Sequence, residues 1–133
     1  MEKSRFSGTY VPNLLDGNRI ALPRRIREVA KGNELVLTIG FDNCIFGFAK
    51  DEWEPMTQAE LNRPLYSDKE GRDLRRKIYA NAAYVKLDAQ GRFVLPSDMM
   101  TYAKIRDQLV VIGAGDHFEI WSKQLWEKYR QGI

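Results

Sequence analysis

At 133 residues the chain can bury one core of ordinary size but not two, and 44% apolar with 29% charged residues excludes a disordered or fibrous class. A net charge of +3 is too small to imply a polyanion partner by itself, so such a partner has to be argued from where the charges sit. One cysteine excludes an internal disulfide framework. With Glu2, Lys3 and Arg5 where a signal peptide needs apolar residues, and no apolar run approaching the roughly twenty residues of a bilayer span, the expected setting is the cytoplasm.

Taken in order, Gly8 to Leu14 reads as a first strand, with Pro12 marking an edge position. Leu15 to Asn18 is a turn, because Asp16, Gly17 and Asn18 tolerate the positive φ of a tight hairpin. Arg19 to Leu22 alternate, which sends Ile20 and Leu22 inward and leaves Arg19 on the open side. Pro23 opens a short helix over Arg24 to Lys31, with Ile26, Val29 and Ala30 on one side, and Gly32 and Asn33 are expected to stop it. Leu35 to Ile39 and Cys44 to Phe48 form a hairpin, and a helix begins near Asp51. In the middle, Pro64 ends one helical piece and Asp68 to Ala80 reads as another, its inner face carrying Leu74 and Ile78. A second series follows: strand Ala83 to Leu87, turn Asp88 to Gly91, strand Arg92 to Leu95, helix Ser97 to Ala103, hairpin Leu109 to Trp121, and a helix from Ser122 to about Arg130.

The second series repeats the first. An ungapped shift of 73 residues superposes Leu14 on Leu87, Arg19 on Arg92, Leu22 on Leu95 and Pro23 on Pro96, and continues through Ala30, Lys31, Ile39, Gly40, Lys50, Trp53 and Glu54. That is eleven identities over the 41 positions from Leu14 to Glu54, where composition alone would give two or three at about one in sixteen per position. The organisation is one domain over residues 1–133: repeat one at 8–54, an unduplicated helical middle at 55–80, and repeat two at 81–130. Elements this short need a partner copy to close a core, which predicts an α+β fold with a pseudo-twofold β-barrel and peripheral helices. Charge is polarised inside repeat one. Lys3 to Lys31 holds seven basic residues against Asp16 and Glu28, whereas Gly32 to Glu54 holds only Lys50 against five acidic ones.

Two turns of the form Asp-x-x-Gly-Arg leading into an apolar strand and Pro, with GFDNC after the first copy and GAGDHFEIW after the second, resemble the MraZ family of bacterial transcriptional regulators. The resemblance runs from Gly8 through Trp126. It implies two SpoVT/AbrB-like swapped-hairpin repeats and a nucleoid-associated repressor of the division and cell-wall gene cluster. It further implies a ring oligomer that binds short direct repeats in double-stranded DNA upstream of its own gene. In the family the Asp and Arg of the two turns face DNA, so Asp88, Gly91 and Arg92 match the second motif in full. The first motif departs from the pattern: Leu15 falls where the family has Asp, Asn18 where it has Gly, and Asp16 lies one residue late. Asn enters the left-handed region readily. Either Asp16 serves a shifted turn, or this copy orders Arg19 differently.

The residues themselves suit that role. An arginine leaving a tight turn is held by the ladder beneath it, and its planar fork matches two phosphate oxygens or guanine O6 and N7. A neighbouring Asp can pair that fork or accept backbone N–H groups and brace the turn. The candidate DNA-binding set is Asp16, Asn18, Arg19, Arg24, Arg25, Arg27, Asp88, Gly91 and Arg92, with repeat one supplying more phosphate contact through its helix arginines. Arg72, Arg75, Arg76 and Lys77 read as a solvated helix face or a subunit contact, and Trp53, Trp121 and Trp126 as core or interface anchors. Cys44 and His117 fall at equivalent places and begin outward positions of their hairpins. They are two possible zinc ligands where about four are normal, and no orienting group for a nucleophilic pair is visible. No cofactor, metal or catalytic role is expected. The rival reading is a ring that binds a protein partner through Phe118, Ile120, Trp121 and Trp126.

Overall fold

A computed structural model describes residues 4–132. In chain order the strands are β1 (Thr9–Tyr10), β2 (Leu14–Leu15), β3 (Arg19–Ala21), β4 (Glu34–Ile39), β5 (Ile45–Ala49), β6 (Ala83–Lys86), β7 (Arg92–Val94), β8 (Leu109–Gly113) and β9 (Phe118–Ser122). The helices are α1 (Arg24–Ala30), α2 (Lys50–Leu61), α3 (Lys69–Ala80), α4 (Ser97–Ala103) and α5 (Lys123–Arg130). Pro12 divides the expected first strand into β1 and β2, because proline cannot donate to a ladder. β1 does lie at a sheet edge.

Six strands form one antiparallel sheet in the order β1-β8-β9-β5-β4-β6, and three form another, β2-β3-β7. The first strand of each copy crosses to the other. β1 pairs with β8 and β6 with β4, while β3 pairs with β7 at the pseudo-twofold. Alternation sends Ile20 and Phe93 from the small sheet and Leu35, Leu37, Ile45, Val111, Phe118 and Ile120 from the large one into a single core. Ile26 and Ala30 of α1 and Met99 and Ala103 of α4 close its ends.

The α+β class stands, but the expected barrel does not. Both sheets keep free edges, and an isolated bridge between Asn13 and Gln108 is what reaches from one toward the other. Strands of three residues are too short to turn the corner and pair with both sheets. The ungapped repeat also gives way in the hairpins. Phe48 and Trp121, 73 apart, pair with Val36 and Val110, which are 74 apart, so Ile39 and Gly40 do not correspond to Ile112 and Gly113. A one-residue slip would turn buried Val110 and Val111 onto the wrong faces, so burial sets the register and the identities do not.

Each short helix ends on lysine rather than at the glycine expected after the first one. Lys31 and Lys104 take the left-handed conformation (φ 55° and 57°), and the Lys31 N–H closes on the Arg27 carbonyl. α2 runs unbroken across Pro55. It and α3 cover the outer face of the large sheet, where Trp53 packs on Val36 and Phe48. Among the described residues no helix is long and apolar enough to cross a membrane.

Candidate nucleic-acid interface

The small sheet buries one face and opens the other. Register places Leu15 opposite Arg19, Arg19 opposite Val94, and Ala21 opposite Arg92. Residues two apart on a strand share a side, so Arg19, Ala21, Arg92 and Val94 occupy one face while Ile20 and Phe93 point into the core. Both motif arginines therefore stand on the same open surface. They are one strand over and two residues along from each other, roughly 8 Å between Cα atoms.

The second turn is built as its sequence requires. Gly91 has φ 75°, its N–H donates to the Asp88 carbonyl, and the Asp88 N–H donates to the Arg92 carbonyl. Asp88 Oδ1 accepts the backbone N–H groups of Gln90 at 2.8 Å and Arg92 at 2.9 Å. Its Oδ2 accepts Arg92 Nε at 3.0 Å, so the carboxylate braces the turn and fixes the guanidinium by one bond rather than a bidentate pair. Those backbone donors, with the Arg92 guanidinium, hold the Asp88 carboxyl below the usual carboxylate range.

The first turn reaches the same register by other means. Gly17 and Asn18 are both left-handed (φ 74° and 61°), and Asn18 fills the place of Gly91, as its tolerance of that region predicts. Asp16 does not take over from the missing acid. Neither it nor the Arg19 side chain has a hydrogen bond or ion pair with any described residue. This copy thus leaves its arginine unpaired.

The helix arginines divide. Arg27 Nε donates to the Leu22 carbonyl at 3.1 Å, and its guanidinium lies over the second turn: a Cβ on Gly91 would sit 2.5 Å from Arg27 Nη1. The helix of repeat one thereby joins the turn of repeat two, which no local pattern signals. Arg24 pairs with Glu28 at 3.2 Å in the open, an arrangement of small worth. Arg25 leaves on another side beside Ser4, Arg5 and Ser7.

The remaining candidates fall away from this face. Arg72 Nη1 donates to the carbonyls of Leu65 and Tyr66, and Arg75 Nη2 to those of Glu60, Leu61 and Arg63, so these two arginines hold the α2–α3 connection rather than a solvated face. Cys44 lies on the outer side of its sheet but is buried, not outward. Burial and the nearby Glu119 carboxylate push its thiol far above the ordinary range. Glu119, which alternation from His117 to Trp121 could have flagged, lies between the supposed pair. It accepts His117 Nε2 at 2.8 Å and Trp121 Nε1 at 2.9 Å, with Cys44 Sγ at 3.8 Å. Burial opposes charging the imidazole, yet bonds to Glu119 and Asp116 hold its pKa above the ordinary value. Burial likewise opposes the Glu119 carboxylate, and the bonds from His117 and Trp121 still hold its pKa down. Phe118, Ile120 and Trp121 are buried, so of the four residues considered for a protein partner only half-buried Trp126, beside exposed Tyr129, reaches the surface. Trp53 is likewise a core anchor, and Trp126 packs on Trp121. Among the described residues no group of three or more His, Cys, Asp and Glu side chains could hold a metal ion.

Comparison with known proteins accounts for this doubled arrangement. The family model described as "MraZ protein, putative antitoxin-like" matches twice, over residues 5–77 and 78–133. A protein of Roseiflexus castenholzii named transcriptional regulator MraZ is 38% identical over 122 residues, covering 92% of this chain and 84% of its own. Proteins of the same name from Lactiplantibacillus plantarum (36% over 124 residues; 93% and 86%) and Oenococcus oeni (35% over 127 residues; 96% and 87%) are similar to the same extent. With both copies matched and the likeness extending over more than nine-tenths of its length, the chain belongs to the MraZ family of transcriptional regulators.

Proposed function

We propose that the protein is a cytoplasmic, nucleoid-associated repressor that reads double-stranded DNA with the open face of its small sheet. Its operator would be short direct repeats upstream of its own gene and the division and cell-wall cluster. One observation carries the reading: two arginines from two copies of a turn share a solvent-facing surface, backed by Arg27. Three short strands fit a major groove, where β-ribbons can reach base edges. In this reading Arg19 and Arg92 are the base readers, Asp88, Gly91 and Asn18 shape the turns, and Arg24 and Arg27 supply phosphate contact, with Asp16 at the turn's rim; Arg25, which leaves on another side, takes no part in this face. The crossing of β1 and β6 between copies supports a swapped-hairpin description.

A surface this small binds weakly alone. A homo-oligomeric ring that presents several copies to spaced repeats makes later contacts intramolecular, raising avidity by about 10² to 10⁴. The test is titration of the protein against its own upstream DNA by gel shift, with repeat number and salt varied. Arg19→Ala and Arg92→Ala should each cost about 1–3 kcal/mol per site and relax specificity. Undiminished binding by both variants removes this face from the mechanism.

A further inference from the structure

We propose that Leu15 and Val94 read thymine methyl groups on either side of a guanine read by Arg19, so that the two copies of the turn have different base preferences. The inference rests on the reading of the small sheet as a DNA-facing surface. Leu15, Arg19 and Val94 are paired across three adjacent strands and form one row on the open face. The pseudo-twofold turns that row into Asp88, Arg92 and Ala21, since each residue lies 73 from its counterpart. Geometry is shared and chemistry is not. Arg92 has a carboxylate on one side and a single methyl on the other. Arg19 has aliphatic side chains on both sides, and they are 38% (Leu15) and 53% (Val94) exposed.

An aliphatic side chain accepts and donates nothing, so it can only recognise an apolar group. The single apolar group on a base edge is the C5-methyl of thymine, and it projects into the major groove where an arginine meets guanine O6 and N7. Neighbouring strands are about 4.8 Å apart and successive bases about 3.4 Å, so side chains flanking Arg19 fall on base pairs next to its own. Leu15, standing where the second turn has its acid, becomes a reader rather than a defect. It also explains why Arg19 goes without a carboxylate, since one placed there would repel phosphate and give the methyl group no apolar contact.

The experiment compares duplexes of the upstream repeat with the same duplexes in which deoxyuridine replaces thymine, removing the C5-methyl alone, by fluorescence anisotropy. Wild-type binding should weaken by about fourfold for each contacted methyl lost. Leu15→Ala and Val94→Ala should each bind the thymine duplex less well and lose part of the discrimination. Leu15→Asp, which copies the second turn, should keep only the part of the discrimination that Val94 supplies, and Leu15→Asp combined with Val94→Ala should bind deoxyuridine and thymine duplexes nearly alike while still depending on Arg92. Both positions are exposed, and circular dichroism confirms that the variants fold. Equal wild-type affinity for the two duplexes, with binding still lost in Arg19→Ala, overturns this inference and leaves the DNA-reading face intact. Failure to bind the thymine duplex at all overturns both.

Discussion

Arg19 and Arg92 leave equivalent turns, yet only Arg92 meets a carboxylate, and the difference traces to one position, Leu15 against Asp88. Asp88→Asn keeps an acceptor for the turn but removes the charge on the guanidinium. It should therefore weaken DNA binding severalfold through a less ordered Arg92 while leaving the Arg19-dependent part unchanged, a difference seen by combining it with Arg19→Ala. Gly91 is required twice, by φ 75° and by Arg27 packed against its missing side chain. Gly91→Ala should lower unfolding free energy by about 1–2 kcal/mol in urea titration, the penalty of a left-handed alanine. The positive φ was legible from the turn motif. Arg27 resting on it was not, because the two positions lie 64 residues apart in the chain.

Among the elements, α2 and α3 depend on Arg75, whose Nη2 donates to the carbonyls of Glu60 and Leu61 at the end of α2 and of Arg63 just beyond it. Arg75→Ala should cost about 2 kcal/mol, and faster amide exchange should be confined to α2, α3 and their connection. Where β9 begins, His117 just before the strand and Glu119 within it form a half-buried charged pair whose effect depends on pH. The His117 pKa is raised, so its contribution is complete below the ordinary 6.5 and fades as pH climbs through the folded value. The Glu119 pKa is lowered, so its contribution is complete above the ordinary 4.5 and is lost as pH falls through the folded value. Both act together between these limits. The stability lost in Glu119→Gln, about 2 kcal/mol, should be greatest there and shrink on either side when unfolding is followed from pH 3 to pH 8. Helix and strand identities were legible from periodicity and Pro or Gly punctuation. The shift from 73 to 74 residues was not, since an insertion in one loop and a deletion in the next leave the outer identities aligned.

At the scale of the molecule, the pseudo-twofold through β3 and β7 is what brings the two motif arginines onto one face. Binding that adds such faces in a ring should fall steeply with salt, because each phosphate neutralised returns its counterions. A log–log plot of affinity against salt should lose about one unit of slope in Arg24→Ala, and none in Arg25→Ala, which lies on another side, or in Val94→Ala. Shortening the operator to a single repeat should cost affinity without changing the slope contributed per subunit.

Duplication, turns, the short helices and an arginine after each turn are all written in adjacent residues, because turn chemistry and side-chain alternation are local properties of the backbone. Three matters were settled by packing instead: open sheets in place of a barrel, strands traded between copies, and Glu119 set between Cys44 and His117. Each depends on contacts between segments far apart in the chain, whose free energy comes from burying a shared core, and no short stretch of sequence records which distant partner will cover it.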